Sequence, residues 1–65
     1  MKLDLHRTKH EDVDRLVENF VLMNKPPLTI ITGLSHKMRR LVRRVLDRHN
    51  MKYEQWNNPG EYKIL

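Results

Sequence analysis

Cysteine is absent from the sequence, which excludes disulfide bonds and thiolate metal sites and fits a reducing compartment. Long apolar runs are absent too. None approaches the roughly 20 residues that a membrane-spanning helix needs. The opening Met1-Lys2-Leu3-Asp4 lacks the apolar stretch of a secretory signal. Repeats, low-complexity tracts and linker-like segments are missing as well, so residues 1–65 are expected to form one domain. A domain of this size buries only about 60% of the surface its unfolded chain exposes. A deep, enclosed active site is therefore not expected, and any chemistry has to work on an open surface. The expectation is a cytoplasmic monomer with no membrane partner.

Acidic residues are nearly missing from one segment. Ser35–His49 carries Lys37, Arg39, Arg40, Arg43, Arg44 and Arg48 against Asp47 alone, a net charge of +5 that equals the excess of the whole chain. Lys9–Asn24 has Lys9 and Arg15 against Glu11, Asp12, Asp14 and Glu18, a net of −2. A one-sided basic element is the footprint expected for a polyanion partner, RNA or DNA. The pairs Arg39/Arg43, Arg40/Arg44 and Arg44/Arg48 set like charges four residues apart, each at a cost of roughly 0.2–0.5 kcal/mol in a helix. Only Arg43/Asp47 is complementary in that register. A helix shaped for its own stability would carry more acidic partners. The plain alternative is a solvated charged face, or a face that meets an acidic protein.

Lys2–His6 alternates, with Leu3 and Leu5 on one face and Asp4 and His6 on the other, which predicts a short half-buried strand. Thr8 with Glu11 three residues on reads as a capping box. Val13, Leu16, Val17, Phe20 and Asn24 then follow helical spacing, flanked by Val21 and Met23, until Pro26-Pro27 ends the helix. Leu28–Thr32 is β-branched and continuous, a strand covered on both faces or nearly so. Ser35 is a good N-cap for a second helix, whose stripe is Met38, Leu41, Val42, Val45 and Leu46. Lys52–Trp56 and Glu61–Leu65 read as two further strands, joined by a type II turn at Asn57-Asn58-Pro59-Gly60. The order is βαβαββ. Right-handed crossovers and the short length predict an α/β two-layer sandwich, a four-stranded mixed sheet with both helices on one face.

Three features can carry chemistry. The basic helix is the first. The second is Gly33-Leu34-Ser35 between a strand and a helix start, where exposed amides suit an anion and Gly33 admits a phosphate, or where the chain simply turns. The third is Asp4-x-His6, since a carboxylate beside an imidazole orients the ring and raises its basicity. The alternative is two polar residues on a solvated strand face. His6, His10, His36 and His49 lack metal-ligand spacing, so no metal site is expected. Tyr53, Trp56 and Tyr62 suit either base stacking or packing at the edge of the fold.

Leu3-Asp4-Leu5-His6, followed by an acidic helix from Glu11-Asp12-Val13, resembles the opening LDLHG motif of Smr (small MutS-related) domains. Ile30-Ile31-Thr32-Gly33-Leu34-Ser35, running into Met38-Arg39, resembles the second motif of that family, and the likeness spans nearly the whole chain. The resemblance implies a fold like the C-terminal domain of bacterial translation initiation factor three. It also implies nucleic-acid binding, often with endonuclease activity on DNA or on messenger RNA at stalled ribosomes. By motif, Asp4 and His6 fall on the family's D-x-H pair and Gly33 on its second-motif glycine. The chain departs from the pattern at Arg7, where the family has glycine, and at Ser35, where the second glycine of the G-x-G form stands.

The function expected from residues and resemblance together is an endonuclease, RNA preferred over DNA. His6 draws a proton from a ribose 2′-OH or orients a water, and Asp4 polarises His6. Gly33–Ser35 amides with Arg7 or Lys37 stabilise the phosphorane charge, and Arg39, Arg40, Arg43 and Arg44 hold flanking phosphates. The scheme requires no cofactor, although Asp4 can hold magnesium in a hydrolytic version. The alternative is a non-catalytic module that docks on structured RNA or the ribosome.

Overall fold

The computed structural model describes residues 1–55 and 59–65. Its elements are β1 (Lys2–Asp4), α1 (His10–Met23), β2 (Leu28–Ile31), α2 (His36–Arg48), β3 (Tyr53–Glu54) and β4 (Glu61–Ile64). The four strands form one mixed sheet in the order β1-β2-β4-β3. β1 runs parallel to β2, while β4 is antiparallel to both β2 and β3. The crossover through α2 therefore carries the chain past β4 to the far edge. This is the βαβαββ sandwich expected from the sequence.

Register explains the layering. Leu3, Ile30 and Tyr62 lie side by side, as do Leu28, Ile64 and Tyr53, and these rows face the helices. With Leu5 they meet Val13, Val17 and Val21 of α1 and Met38, Val42, Val45 and Leu46 of α2 in one core. Tyr62 is fully buried and packs edge-on against Tyr53, ring centroids 5.4 Å apart, so these aromatics belong to the core rather than to a stacking platform. Trp56 and the first half of the expected turn at 57–60 lie outside the described residues. The opposite rows, Asp4–Ile31–Glu61 and Lys2–Thr29–Lys63–Glu54, form the other face of the sheet. That face is less apolar than β2 alone suggested. Thr29 is buried among its neighbours and takes a hydrogen bond from Lys63 Nζ at 3.3 Å, while Ile31 is only partly covered.

Two helix ends differ in how they are made. Ser35 caps α2 as expected, its Oγ accepting from the Met38 amide at 3.2 Å. The capping box expected at Thr8 does not form. Thr8 N–H is already committed to Leu5 C=O at 3.1 Å, which leaves Thr8 in the preceding turn and puts Lys9 at the N-cap without a side-chain cap bond. The far end of α2 closes in a Schellman motif. Met51 N–H reaches Leu46 C=O at 2.9 Å and Asn50 N–H reaches Asp47 C=O at 3.0 Å, with Asn50 at φ +56°.

Candidate functional site

The turn that follows β1 assembles the first two residues. The strand stops at Asp4 instead of continuing to His6, because after Leu5 N–H bonds Ile31 C=O the next ladder partners are engaged elsewhere: Leu5 C=O takes Thr8 N–H and Gly33 N–H goes to Gly60 C=O. Asp4 Oδ1 accepts from His6 N–H at 2.9 Å and from the His6 ring at Nδ1, 2.8 Å away. A side-chain bond of this kind, from a residue to the amide two places on, holds the chain in a turn. The two side chains thus converge through a turn rather than through alternation along a strand. Arg7 stands at the third position of the turn closed by Thr8 N–H and Leu5 C=O, with φ +64°. Positive φ at that position is the conformation that favours glycine. The glycine expected there by resemblance and the arginine found there accept the same backbone shape.

The Asp4–His6 pair is open to solvent, with side-chain exposures of 59% and 61%. The His6 amide and then the adjacent imidazole stabilise the Asp4 carboxylate, holding its carboxyl below the usual range. An ionised carboxylate only accepts, so Nδ1 of His6 donates and Nε2 of the neutral ring keeps its lone pair. That Nε2 faces Gly33. A Cβ at Gly33 would lie 3.1 Å from it, and Gly33 itself has φ +69°. The parallel β1–β2 pairing therefore brings the His6 ring, held by Asp4, beside Gly33, and the absent Cβ at Gly33 makes room for the ring.

Gly33 is fixed from its other side. The Thr32 and Gly33 amides both donate to Gly60 C=O, at 2.7 and 3.1 Å, and the Thr32 hydroxyl lies within reach of Gly33 and Gly60 carbonyls. Ser35 Oγ is engaged in its cap. On α2, Lys37, Arg40, Arg43 and Arg44 are exposed on the arc away from the core. Arg39 is half-buried and turned aside. One of its terminal nitrogens donates to His36 Nδ1 at 2.9 Å and the other reaches Pro59 C=O at 3.4 Å.

Arg48 is tied into the fold. It bonds Asp14 at 2.7 Å and Glu18 at 2.8 Å on α1, and its hydrogen bonds hold the Asp14 carboxyl below the usual range. Its charge is cancelled there, so the free positive surface is narrower than the residue count of α2 suggests. Asp47, the acid placed opposite Arg43, accepts from Tyr53 Oη at 2.8 Å. Sequence reasoning missed the His36–Arg39 pair and the Arg48 clamp. The first has a local signal, an i,i+3 spacing at a helix start, whereas the second joins residues about thirty positions apart.

Among the described residues no group of three or more His, Asp or Glu side chains gathers as a metal site, and no helix is long and apolar enough to cross a membrane. No protein-family model matches the chain, nor does any curated protein or solved structure.

Proposed function

We propose that the chain is a nucleic-acid-binding domain of Smr type that cleaves RNA in preference to DNA, with His6 as the acid–base group. One observation carries the reading. The imidazole of His6 is oriented by an ionised Asp4 at 2.8 Å, and its free Nε2 is directed at the Gly33 turn, where β2 gives way to the basic helix. A carboxylate-oriented imidazole is equipped to take a proton. RNA supplies its own nucleophile, the 2′-OH, whereas DNA requires an activated water as well. Nε2 takes the 2′-OH proton, the 2′-oxygen bonds to phosphorus, and the bond from phosphorus to the 5′-oxygen breaks. The proton then passes to the departing 5′-oxygen from the imidazolium or through water. The products are a 2′,3′-cyclic phosphate and a 5′-hydroxyl. Lys37, Arg40, Arg43 and Arg44 lie exposed on the helix that starts at this turn and hold the flanking phosphates.

The test is incubation with end-labelled single-stranded RNA, with and without EDTA. Cleavage is expected from the wild type and not from His6→Ala, with binding retained within a few-fold. Asp4→Asn is expected to slow the reaction by about 10²–10⁴, the usual worth of acid–base assistance. Cleavage abolished by EDTA alone indicates the hydrolytic version with magnesium on Asp4. The openness of the pair to bulk water favours a second reading, a non-catalytic RNA- or ribosome-binding module. Tight binding of RNA that the wild type leaves intact selects it.

A further inference from the structure

A second imidazole stands three residues after Gly33 at the start of α2, and its hydrogen bond fixes the opposite tautomer from that of His6. His36 is the first residue of α2 and lies exposed three positions after Gly33, so the two Cα atoms are at most about 11 Å apart. Its Nδ1 is 2.9 Å from an Arg39 terminal nitrogen. A guanidinium has donors and no acceptor, so Nδ1 accepts and the proton of the neutral ring sits on Nε2. Arg39 is anchored for this task. It reaches Pro59 C=O with its other terminal nitrogen, and the side chain is half-buried. The two histidines belong to different elements around the turn. β2 lies between β1 and β4, His6 follows β1, and Arg39 reaches the residue two places before β4.

We propose that His36 donates from Nε2–H to the phosphate that His6 faces, so that the scissile group sits across Gly33 between an accepting and a donating imidazole. The inference rests on the reading of His6 as the acid–base group, and it names the residue that balances it. As the 2′-oxygen attacks, negative charge grows on the non-bridging phosphate oxygens, and a neutral N–H donor stabilises it without giving up a proton. Arg39 is a positioning residue, acting through the tautomer it imposes.

Nitrogen–proton NMR of the imidazole rings reports the tautomers directly. His36 is expected to carry its proton on Nε2, and His6 to carry its own on Nδ1. Arg39→Met is expected to remove the bias at His36 and leave His6 unchanged. Titration with uridine 3′-monophosphate is expected to move the ring signals of both residues together. In the cleavage assay, His36→Ala is expected to lower kcat by about 10- to 100-fold with little change in KM, below the roughly 10²–10³ of an enclosed oxyanion hole. His36→Gln, which keeps an N–H donor, is expected to recover part of the loss. A His36 ring protonated on Nδ1, or a nucleotide titration that moves His6 alone, overturns the proposal. If the wild type cleaves no RNA, the nuclease reading fails by itself. The titration then decides this inference, since joint movement of both rings still marks a phosphate site between them.

Discussion

Arg7 offers a sharp test of the backbone argument, because its effect on stability is separable from any effect on binding. The residue is exposed and sits at φ +64°, a conformation that costs a non-glycine residue about 1–2 kcal/mol. Glycine relieves that strain. It also adds freedom to the unfolded chain, which returns about 0.4–1 kcal/mol of the gain. Arg7→Gly is therefore expected to stabilise the domain by about 1 kcal/mol, or roughly 4–8 °C in Tm for a domain of 60–100 residues. Arg7→Ala removes the same guanidinium and keeps the strained backbone, so its stability should stay within about 0.5 kcal/mol of wild type. Urea denaturation of the three proteins, fitted with a shared m-value, measures both differences. RNA binding by the same proteins reports the side chain: equal weakening in both variants identifies a phosphate contact, and faster cleavage by Arg7→Gly identifies an obstruction. A midpoint for Arg7→Gly equal to or below that of wild type refutes the strain argument, whatever happens to binding.

The remaining predictions follow from the same geometry. Gly33→Ala adds a Cβ 3.1 Å from His6 Nε2 at φ +69°, so it should destabilise the fold by about 1–2 kcal/mol and displace the His6 ring signals in NMR spectra. Replacing Arg40, Arg43 and Arg44 together by alanine should weaken RNA binding regardless of sequence. The slope of log affinity against log salt should flatten by about 0.7–0.9 for each phosphate that is no longer neutralised, with Tm unchanged or slightly raised. Asp4 and Asp14 both have carboxyls lowered from 3.8 by their partners in the folded chain. Their contribution is therefore complete above that ordinary value and is lost as pH falls through the lower folded values. Melting temperature should drop below about pH 4, and Arg48→Met should remove the share that belongs to Asp14.

Local patterns were legible in the sequence because local physics decides them. Leu3 and Leu5, Leu28 and Ile30, and the stripe from Met38 to Leu46 each met the core in the periods they show, whereas Thr29 and Ile31 lie on the other face of the sheet. Thr8 misled because its amide was claimed by the turn before it, a competition that a capping pattern does not display. The site was legible in part. Asp4 holds the His6 ring and the ring lies beside Gly33, but the means is a side-chain turn and a parallel strand pair, not side chains alternating along one strand. Charge was the least legible quantity. Arg48 counts toward the basic helix in the sequence and is neutralised in the fold by Asp14 and Glu18, which no local rule pairs with it.

The position of β4 has a consequence for how the chain acquires its structure. Last in sequence, it is an inner strand, paired with both β2 and β3. Until Glu61–Ile64 has been synthesised, β3 awaits its neighbour in the sheet, and the Gly33 turn lacks the Gly60 carbonyl that takes two of its amides. Synthesis proceeds at about 5–20 residues per second, so the interval is short. During it α2 and its exposed arginines exist in the chain while the Gly33 turn still lacks that partner. The positive face of the helix is thus made before the turn that seats the His6 ring is fixed.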